Sequence, residues 1–416
     1  MKPLVYHIIC GPHWVKTVPL AGEYLCKFAE SRGIKVKLID LNSILYTTLG
    51  NPHQWLRLDE EFEQTLFEHT IRGPQKEVLH DFFTGLAQAD VIAFSLYRRN
   101  QIFTLSFIEE LIYAYPQKKI VIGGPHTRWM ELQKKQFDPR FSWVIGEGEK
   151  PLLKVIESSG PVTVRFDELD DLDEIPFLDF SQYDLSLYSP VLPLFSSRGC
   201  IRNCVFCTER LLTRTFRQHS PGYMADQIEL LHKKYNTRVF SFQDSLINAD
   251  IGWLESFCRR LSDKKIDIIW EAQGIVRNDF DVSLGKLLKE SGCYNLFIGL
   301  ESAADDTLGR MNKGFTQRDA HAFFSKLHKA RLNYEISLIV GFPGETESQF
   351  LETYEFIRNH KELIPKIAQV NPYVDYFRDD LVPSDTGGDR VRKLIEMFKT
   401  EKIRYTKSFI NNLVYL

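Results

Sequence analysis

Apolar runs that are typical of buried strands alternate with helix-like segments along almost the whole chain. The runs in the first 150 residues are apolar throughout rather than alternately apolar and polar, a pattern typical of parallel strands buried on both faces. We therefore expect a doubly wound α/β domain over residues 1–160, in which a ligand would lie beyond the carboxyl ends of the strands. The predicted strands are residues 4–10, 34–41, 90–96, 119–122 and 143–145.

The same alternation restarts at Leu194 and continues through six strand–helix units. Consecutive units of this kind predict a partial or complete parallel barrel over residues 193–375, with its site at the carboxyl ends of the strands. The acidic, proline-containing segment 161–192 is expected to be a linker, and residues 376–416 a short C-terminal extension. The predicted strands are residues 193–197, 239–243, 266–274, 294–300, 334–341 and 366–373.

Composition excludes several classes of protein. The chain has 416 residues, with 52 Lys and Arg against 55 Asp and Glu, so no overall positive charge attracts nucleic acid or an anionic membrane. No apolar run approaches the roughly 20 residues that cross a bilayer. The cysteines number seven and only three are clustered, which argues against a secreted disulfide framework and predicts a reducing, cytoplasmic location.

The strongest chemical signal is a loop that carries Cys200, Cys204 and Cys207. This spacing allows one loop to wrap a metal centre, and thiolates are soft ligands that suit either an iron–sulfur cluster or zinc. A structural zinc site needs a fourth ligand, for which Cys258 and His219 are candidates, although neither lies in a second paired motif. The spacing favours a cluster with one open iron, to which a ligand binds directly.

The loop resembles that of the radical S-adenosylmethionine (SAM) enzymes, because it follows a strand and has an aromatic residue before its last cysteine. Four more segments follow in the order that this family shows. The resemblance implies a partial (β/α)6 barrel that holds a [4Fe–4S] cluster and SAM. The further segments are Phe240–Asp244, Ile298–Ser302, Met311–Thr316 and Gly341–Thr346.

The N-terminal half resembles the cobalamin-binding subfamily of these enzymes, in which a Rossmann-like domain precedes the barrel. Asp40–Asn42, Gly123–His126 and Gly146–Glu149 carry this resemblance. No histidine lies in an Asp-x-His-x-x-Gly signature, in which histidine ligates cobalt. The resemblance therefore implies cobalamin bound base-off and without histidine, and the alternative is a vestigial domain that binds no cobalamin.

The resemblance also implies roles for residues around the cluster. The three cysteines would hold three irons, and the fourth iron would take the amino and carboxylate groups of SAM. Phe206 is expected to offer backbone contacts and an aromatic surface to adenine, or otherwise to pack in the core. Gly341 and Gly344 would permit close backbone approach to adenine, or otherwise form a turn around Pro343.

Charged residues at predicted strand ends complete the expected SAM site. Glu301 ends a buried apolar strand, where a carboxylate is costly without a partner. We expect it to accept hydrogen bonds from ribose hydroxyls together with Ser302, or otherwise to form a salt bridge. Asp244 is expected to face the methionine part of SAM or the substrate, as a catalytic residue. Arg217 and Arg277 are weaker candidates for the methionine carboxylate.

The expected cobalamin contacts are at the ends of strands in the first domain. The glycine-rich loops suit a bulky ligand with a phosphate-bearing tail, because small residues allow backbone contact. Tyr97, as a catalytic residue, and Arg98 and Arg99 follow the third strand and are expected below the corrin, or otherwise in an exposed loop. The glycine-rich residues are Gly123, Gly124, Gly146, Glu147 and Gly148.

The predicted function is methylation of an unactivated carbon. A deoxyadenosyl radical would take hydrogen from the substrate, and cobalamin would deliver a methyl group. The alternatives are a radical cyclase or rearrangement enzyme without methyl transfer and, from another class, a non-catalytic zinc-loop protein. The substrate is expected to be a small molecule or a peptide or protein segment, and the electron donor a flavodoxin or ferredoxin. No nucleic-acid or membrane partner is expected.

Overall fold

The computed structural model describes residues 3–50, 55, 60–73, 80–375 and 386–406. The chain divides into two compact units, formed mainly by residues 1–192 and 193–411, with residues 211–214 belonging to the first. All seven cysteines are free thiols. Within the described residues, no helix has the length and apolar character that crossing a membrane requires.

The first unit is built on a six-stranded sheet with the order β2-β1-β3-β4-β5-β6, in which every neighbouring pair is parallel. The order reverses direction between β1 and β3, which makes the crevice at their carboxyl ends the topological switch point of the sheet. The strands are β1 (Leu4–Ile9), β2 (Lys35–Asp40), β3 (Val91–Ser95), β4 (Lys119–Gly123), β5 (Ser142–Ile145) and β6 (Thr163–Arg165).

Helices cover both faces of this sheet, which explains why its inner strands β1, β3, β4 and β5 are largely apolar. Val5 of β1 belongs to one core cluster with residues of α1 and α7, whereas Tyr6 and Ile8 belong to another with residues of α5. The helices are α1 (Leu20–Ser31), α2 (Leu41–Thr48), α3 (Glu60–Phe67), α4 (His80–Leu86), α5 (Gln101–Ala114), α6 (Pro125–Leu132) and α7 (Glu149–Glu157).

The structure places residues 161–192 in the first unit rather than in a linker. Thr163–Arg165 forms the edge strand β6, which the sequence analysis did not predict. The buried carboxylate of Glu23 on α1 then accepts hydrogen bonds from the backbone N–H groups of Asp179 and Phe180, at 3.0 and 2.9 Å. These contacts with α1 attach the acidic segment to the first unit, which local composition alone does not reveal.

The second unit contains a six-stranded sheet with the order β14-β13-β12-β11-β10-β7, and the pairs from β10 to β14 are parallel. Neighbouring strands follow each other in sequence, so that the sheet is a partial barrel, as predicted. The strands are β7 (Val191–Leu194), β8 (Ser197–Arg198), β9 (Arg217–Gln218), β10 (Val239–Phe242), β11 (Ile269–Gly274), β12 (Cys293–Glu301), β13 (Tyr334–Val340) and β14 (Ile367–Pro372).

Amphipathic helices connect these strands, and a separate antiparallel pair, β8 with β9, flanks the cysteine loop. The last helix lies within the predicted extension, of which residues 376–385 and 407–416 are outside the described residues. The helices are α8 (Glu209–Leu212), α9 (Pro221–Tyr235), α10 (Ile251–Asp263), α11 (Val282–Glu290), α12 (Asp305–Met311), α13 (Gln317–Ala330), α14 (Glu347–Asn359) and α15 (Gly387–Thr400).

Gly124 follows β4 and lies against Leu96, which follows β3. Its φ is +102°, which is in the range that favours glycine, and a Cβ atom there would lie 2.7 Å from both the amide nitrogen and the carbonyl oxygen of Leu96. Leu96 cannot move away, because its N–H donates to the carbonyl of Gly123 at 2.7 Å and its carbonyl accepts from His126 N–H at 3.2 Å. The glycine is therefore required by the chain itself.

We expect Gly124→Ala to destabilise the protein by about 1–3 kcal/mol, since the side chain meets backbone atoms in a strained conformation. Gly160→Ala is the matched control in the same unit, because a Cβ atom there meets nothing within 4 Å. Thermal unfolding of both variants measures the difference, and equal midpoints would contradict this account of Gly124.

Candidate active site

Three thiols lie on one short loop that follows β8. Gly199, with a φ of 80°, turns the chain into this loop, and the N–H of Cys207 donates to the carbonyl of Cys204 at 3.1 Å. All three cysteines are half-buried. Burial, together with the charges of Glu209, Cys204 and Cys200, raises the pKa of Cys207 to about 11. The three sulfur atoms therefore act on one another.

The thiol arrangement favours a cluster over a single metal ion. A zinc ion requires its ligand atoms to converge within about 2.3 Å of one point. Among the described residues, no three His, Cys, Asp or Glu side chains converge in that way. The candidate fourth zinc ligands are also placed elsewhere, because Cys258 is fully buried in α10 and His219 is stacked on Tyr223. An iron–sulfur cluster differs in that each thiolate binds a different iron atom.

Asp244 supports the chain that leads into the cysteine loop. It follows β10 and is only 1% exposed. Its carboxylate accepts hydrogen bonds from the N–H and Oγ of Ser196, at 2.9 and 2.7 Å, and from Oγ of Ser197 at 2.5 Å. Burial raises its pKa to about 6 in spite of these donors. The expectation that Asp244 faces SAM or substrate is therefore replaced by a positioning role.

Glu301 lies at the end of β12 with a left-handed φ of 66°. Its Oε2 accepts a hydrogen bond from Oγ of Ser337 at 3.0 Å, and its Oε1 lies 3.4 Å from Nζ of Lys313. This ion pair is the salt bridge that was considered as the alternative for Glu301, and both of its partners are buried. With these two contacts, the carboxylate can still accept further hydrogen bonds.

Ser302 does not join Glu301. Its hydroxyl lies 3.0 Å from Oγ1 of Thr353 on α14, and it accepts a hydrogen bond from the N–H of Ala304 at 3.2 Å. The side chain is fully buried. The expected contact of Ser302 with ribose is thus corrected, because its hydroxyl connects β12 to a helix instead.

The residues expected at adenine have partners of their own. Phe206 is half-buried, and the ammonium of Lys313 lies 5.8 Å from the centre of its ring. Gly341 has a φ of 72°, and its N–H donates to Oε2 of Glu345 at 2.7 Å. Gly344 has a φ of 78°, and an added Cβ would lie 3.7 Å from Nε of Arg310, an ordinary van der Waals distance. Both glycines therefore have the left-handed backbone that favours this residue.

The two arginine candidates are held by the protein. Arg217 lies in β9, and its Nε is 3.4 Å from the carbonyl of Thr215. The guanidinium of Arg277 pairs with Asp279 and donates to the carbonyl of Ala249 at 2.6 Å. Arg277 also lines a cavity of about 400 Å³ beside the cysteine loop. The other lining residues are Ile201, Arg202, Val276, Asn278, Asp279, Gly314 and Phe315.

In the first unit, polar side chains meet at the switch point between β1 and β3. His13, from the loop after β1, stacks on Tyr97 at a ring distance of 4.1 Å. The N–H of His13 donates to Oδ1 of Asn42 at 2.8 Å, and the N–H of Tyr97 donates to Oδ1 of Asn100 at 2.8 Å. The amide of Asn100 in turn donates to the carbonyl of Cys10 at 2.9 Å, so that both loops are fixed.

Arg99 is a buried cation without a matching anion. It is 4% exposed, and its Nε and Nη1 have no hydrogen-bond partner within the described part of the chain. Glu63, whose charge acts on Arg99, has a pKa that burial raises to about 8. Its carboxylate also accepts hydrogen bonds from the first turn of α5. A ligand with a phosphate group would supply the missing acceptor.

The other predicted contacts of the first unit have structural explanations. Arg98 lies over the ring of Trp129, at 5.4 Å. The space at Gly146 and Gly148 is taken by Phe166 and Leu25, which an added Cβ would approach to 3.2 and 2.7 Å. Glu147 lies between these glycines, and Gly123 makes ordinary contact with Val144. Packing within the protein therefore accounts for the small residues at Gly146 and Gly148, and ligand contact at these loops stays a prediction.

Sequence reasoning missed two residues near these sites. His13 follows Gly11-Pro12 at the end of the first strand, and burial lowers its pKa to about 4, with Arg99 adding to the effect. Lys313 lies inside a segment that carried the family resemblance but received no role. In both cases the signal was present, namely a polar side chain at a strand or helix end, but only the tertiary structure shows its neighbours.

Comparison with known proteins identifies the second unit. Residues 194–357 match the family model of the radical SAM superfamily. This part of the chain is a radical SAM domain. The match begins within β7 and ends within α14, and so includes the cysteine loop, Asp244 and Glu301. The radical SAM domain implies a [4Fe–4S] cluster and SAM as its cofactors.

Two curated relatives extend the similarity beyond this domain. The chain is 26% identical over 264 residues to an uncharacterized methyltransferase of Pyrococcus horikoshii, covering 58% of this chain and 57% of that protein. It is 25% identical over 321 residues to an anaerobic magnesium-protoporphyrin IX monomethyl ester cyclase of Rubrivivax gelatinosus, covering 70% and 56%. The chain thus spans a little over half the length of either relative.

A solved structure shares the fold of most of the chain. It is the radical SAM methyltransferase TsrM of Kitasatospora setae, with cobalamin and a [4Fe–4S] cluster bound. The TM-score is 0.62 at 16% identity, and the match covers 90% of this chain and 76% of that one. This match confirms the predicted fold, a Rossmann-like domain followed by a partial barrel.

We expect each of Cys200→Ala, Cys204→Ala and Cys207→Ala to remove most bound iron, because a cluster held by three thiolates loses one-third of its protein ligands. Cys258→Ala is the matched control, since that thiol is buried in α10 away from the loop. Iron and sulfide analysis of anaerobically reconstituted protein measures the effect. Iron loss in Cys258→Ala equal to that in the loop variants would contradict the three-thiolate site.

Proposed function

We propose that this chain is a cobalamin-dependent radical SAM methyltransferase that acts on an unactivated sp3 carbon of a small molecule or of a peptide or protein segment. The observation that carries this proposal is the presence, in one chain, of a radical SAM domain and a parallel sheet with a switch point between β1 and β3. At that switch point, Nε and Nη1 of the buried Arg99 have no hydrogen-bond partner among the described residues. Methyltransferases among the similar proteins support the choice of reaction.

The cysteine loop fits the cluster that a radical SAM domain uses. Cys200, Cys204 and Cys207 would hold it, and Asp244 fixes the backbone just before them. When bound, the cluster and SAM supply a carbon-centred radical, and cobalamin supplies a transferable methyl group. The chain itself orients these groups. Oε1 and Oε2 of Glu301 would accept hydrogen bonds from the ribose hydroxyls of SAM, in addition to their contacts with Lys313 and Ser337.

The switch point of the first unit fits cobalamin in two respects. The unpaired guanidinium nitrogens of Arg99 suit the phosphate of the nucleotide tail. Tyr97 offers a flat surface with a protonated phenol, since burial raises its pKa to about 12. His13 stacks on Tyr97 with a buried Nδ1, and no histidine of the chain lies in an Asp-x-His-x-x-Gly signature. We therefore retain the proposal of base-off binding without histidine.

The remaining partners follow from the chemistry. A cluster of this kind needs a low-potential one-electron donor of the flavodoxin or ferredoxin type. The seven free thiols suit a reducing compartment such as the cytoplasm. The sequence shows no basic stripe with interleaved aromatic residues, which is the pattern that would indicate a nucleic-acid partner.

The second candidate is a radical cyclase that uses the same cofactors without methyl transfer. The similarity to an anaerobic ester cyclase over 70% of this chain favours it as the alternative. The two functions differ in the fate of SAM, because only methyl transfer converts it to S-adenosylhomocysteine.

We expect Arg99→Met to weaken cobalamin binding about tenfold or more, since a charge-assisted hydrogen bond is worth about 1.5–3 kcal/mol. Arg140→Met is the matched control, because Arg140 lies before the amino end of β5, whereas the switch point is at the carboxyl ends of the strands, and it forms an exposed ion pair with Glu109. Hydroxocobalamin retained after gel filtration and its visible spectrum give the readout. Equal binding by both variants would contradict the role of Arg99, and nitrogen splitting in the cobalt EPR spectrum would contradict binding without histidine.

We expect reduced, cobalamin-loaded protein to convert SAM to S-adenosylhomocysteine in stoichiometric amounts, and cobalamin-free protein to form none. With its substrate, the enzyme should also form deoxyadenosine and a product heavier by one CH2 unit. Mass spectrometry with SAM labelled at the S-methyl group follows both reactions. Deoxyadenosine without S-adenosylhomocysteine, and a product of unchanged carbon count, would favour the cyclase.

A further inference from the structure

Lys313 is a buried cation in the turn that follows α12. Its side chain is 5% exposed, and among the described residues its ion pair is with Glu301, at a distance of 3.4 Å between Nζ and Oε1. The rings of Phe206 and Phe315 flank the ammonium at 5.8 and 5.7 Å. A buried charge that is paired this loosely is costly, which points to a further negative group that it serves.

Two hydrogen bonds to backbone groups of the cysteine loop hold the turn that carries Lys313. The N–H of Val205 donates to the carbonyl of Met311 at 3.1 Å. The amide of Asn312 donates to the carbonyl of Asn203 at 2.9 Å. Both contacts fall on loop residues that flank Cys204, so that the lysine and the thiols are held as one assembly.

Gly314 follows Lys313 in the sequence and lets the same turn pack closely against the side chain of Arg202 in the cysteine loop. Its φ is +69°, and a Cβ atom there would lie 2.2 Å from Nη1 of Arg202. The close packing leaves Lys313 little freedom to move away from the cysteines.

The ammonium of Lys313 also lies beside the cysteine loop itself. It is 5.8 Å from the ring centre of Phe206, which lies between Cys204 and Cys207 in the sequence. The carboxylate of Glu301 is 3.4 Å from the same ammonium. Two buried charges of opposite sign are therefore held against the loop that would bind the cluster.

We infer that Lys313 is a positioning residue whose fixed positive charge favours reduction of the cluster, with Glu301 as the opposing charge. This inference rests on the cluster of the proposed function. One electron passes from a flavodoxin- or ferredoxin-type donor to the cluster, no bond forms or breaks, and the cluster with its three thiolates becomes more negative by one charge. A cation in a poorly solvated site stabilises that extra charge.

The test is an EPR-monitored redox titration of the full-length, reconstituted protein in the absence of SAM. Lys313→Met should shift the midpoint potential of the cluster to a more negative value, and Lys313→Arg, which retains the charge, should stay close to the unmodified protein. Glu301→Gln should shift the potential in the opposite direction. Lys366→Met is the matched control, because Lys366 lies at the amino end of β14 in an ion pair with Glu335.

Iron content and cobalamin retention are measured on the same samples. A Lys313→Met protein with full iron and an unchanged potential would overturn the inference. If Lys313→Met loses its iron, the Glu301→Gln titration decides, and an unchanged or more negative potential there overturns the inference. Loss of cobalamin binding or methyl transfer in the unmodified protein bears on the proposed function only.

Discussion

The hydrogen bonds that Asp244 accepts from Ser196 and Ser197 are the contacts on which the site depends. They join the end of β10 to the segment that immediately precedes Cys200. On the far side of the loop, the carbonyl of Met311 holds Val205. A loop that carries three thiols would otherwise have many conformations, and a cluster requires one. The two sets of contacts reduce that freedom before any metal binds, which lowers the entropy cost of assembling the cluster.

The same arrangement explains why charged groups are buried at the carboxyl edge of the barrel. Glu301 and Lys313 are each costly to bury, and their 3.4 Å pairing offsets the cost only in part. Such groups persist where they act on a bound partner, and both are held against the cysteine loop. In the first unit, the unpaired Arg99 at the β1/β3 switch point is the corresponding feature. In each unit, the imperfectly satisfied charge lies where the fold places its ligand site.

The glycines show how a motif can have more than one cause. Gly124 is required because the backbone of Leu96 occupies the place of its side chain, whereas at Gly148 the neighbour is the flexible side chain of Leu25. At Gly344 the nearest atom to an added Cβ is 3.7 Å away, and its φ of 78° is the reason for glycine. Glycine in a strand-end motif is therefore evidence for a tight approach or a left-handed backbone, and the partner in that approach can be the protein itself.

The alternation of strand-like and helix-like segments determined both parallel sheets, and in the first sheet the inner strands are largely apolar because both faces are buried. The spacing of Cys200, Cys204 and Cys207 likewise determined the metal-binding loop, since the three thiols are local in the chain. The tertiary structure decided the contacts between residues that are distant in the sequence. It turned Asp244 toward Ser196, turned Ser302 toward Thr353, brought Lys313 to Glu301, and added residues 163–165 to the first sheet. Hydrogen-bond partners distant in sequence leave no local periodicity, and for that reason these roles were not readable from the chain alone.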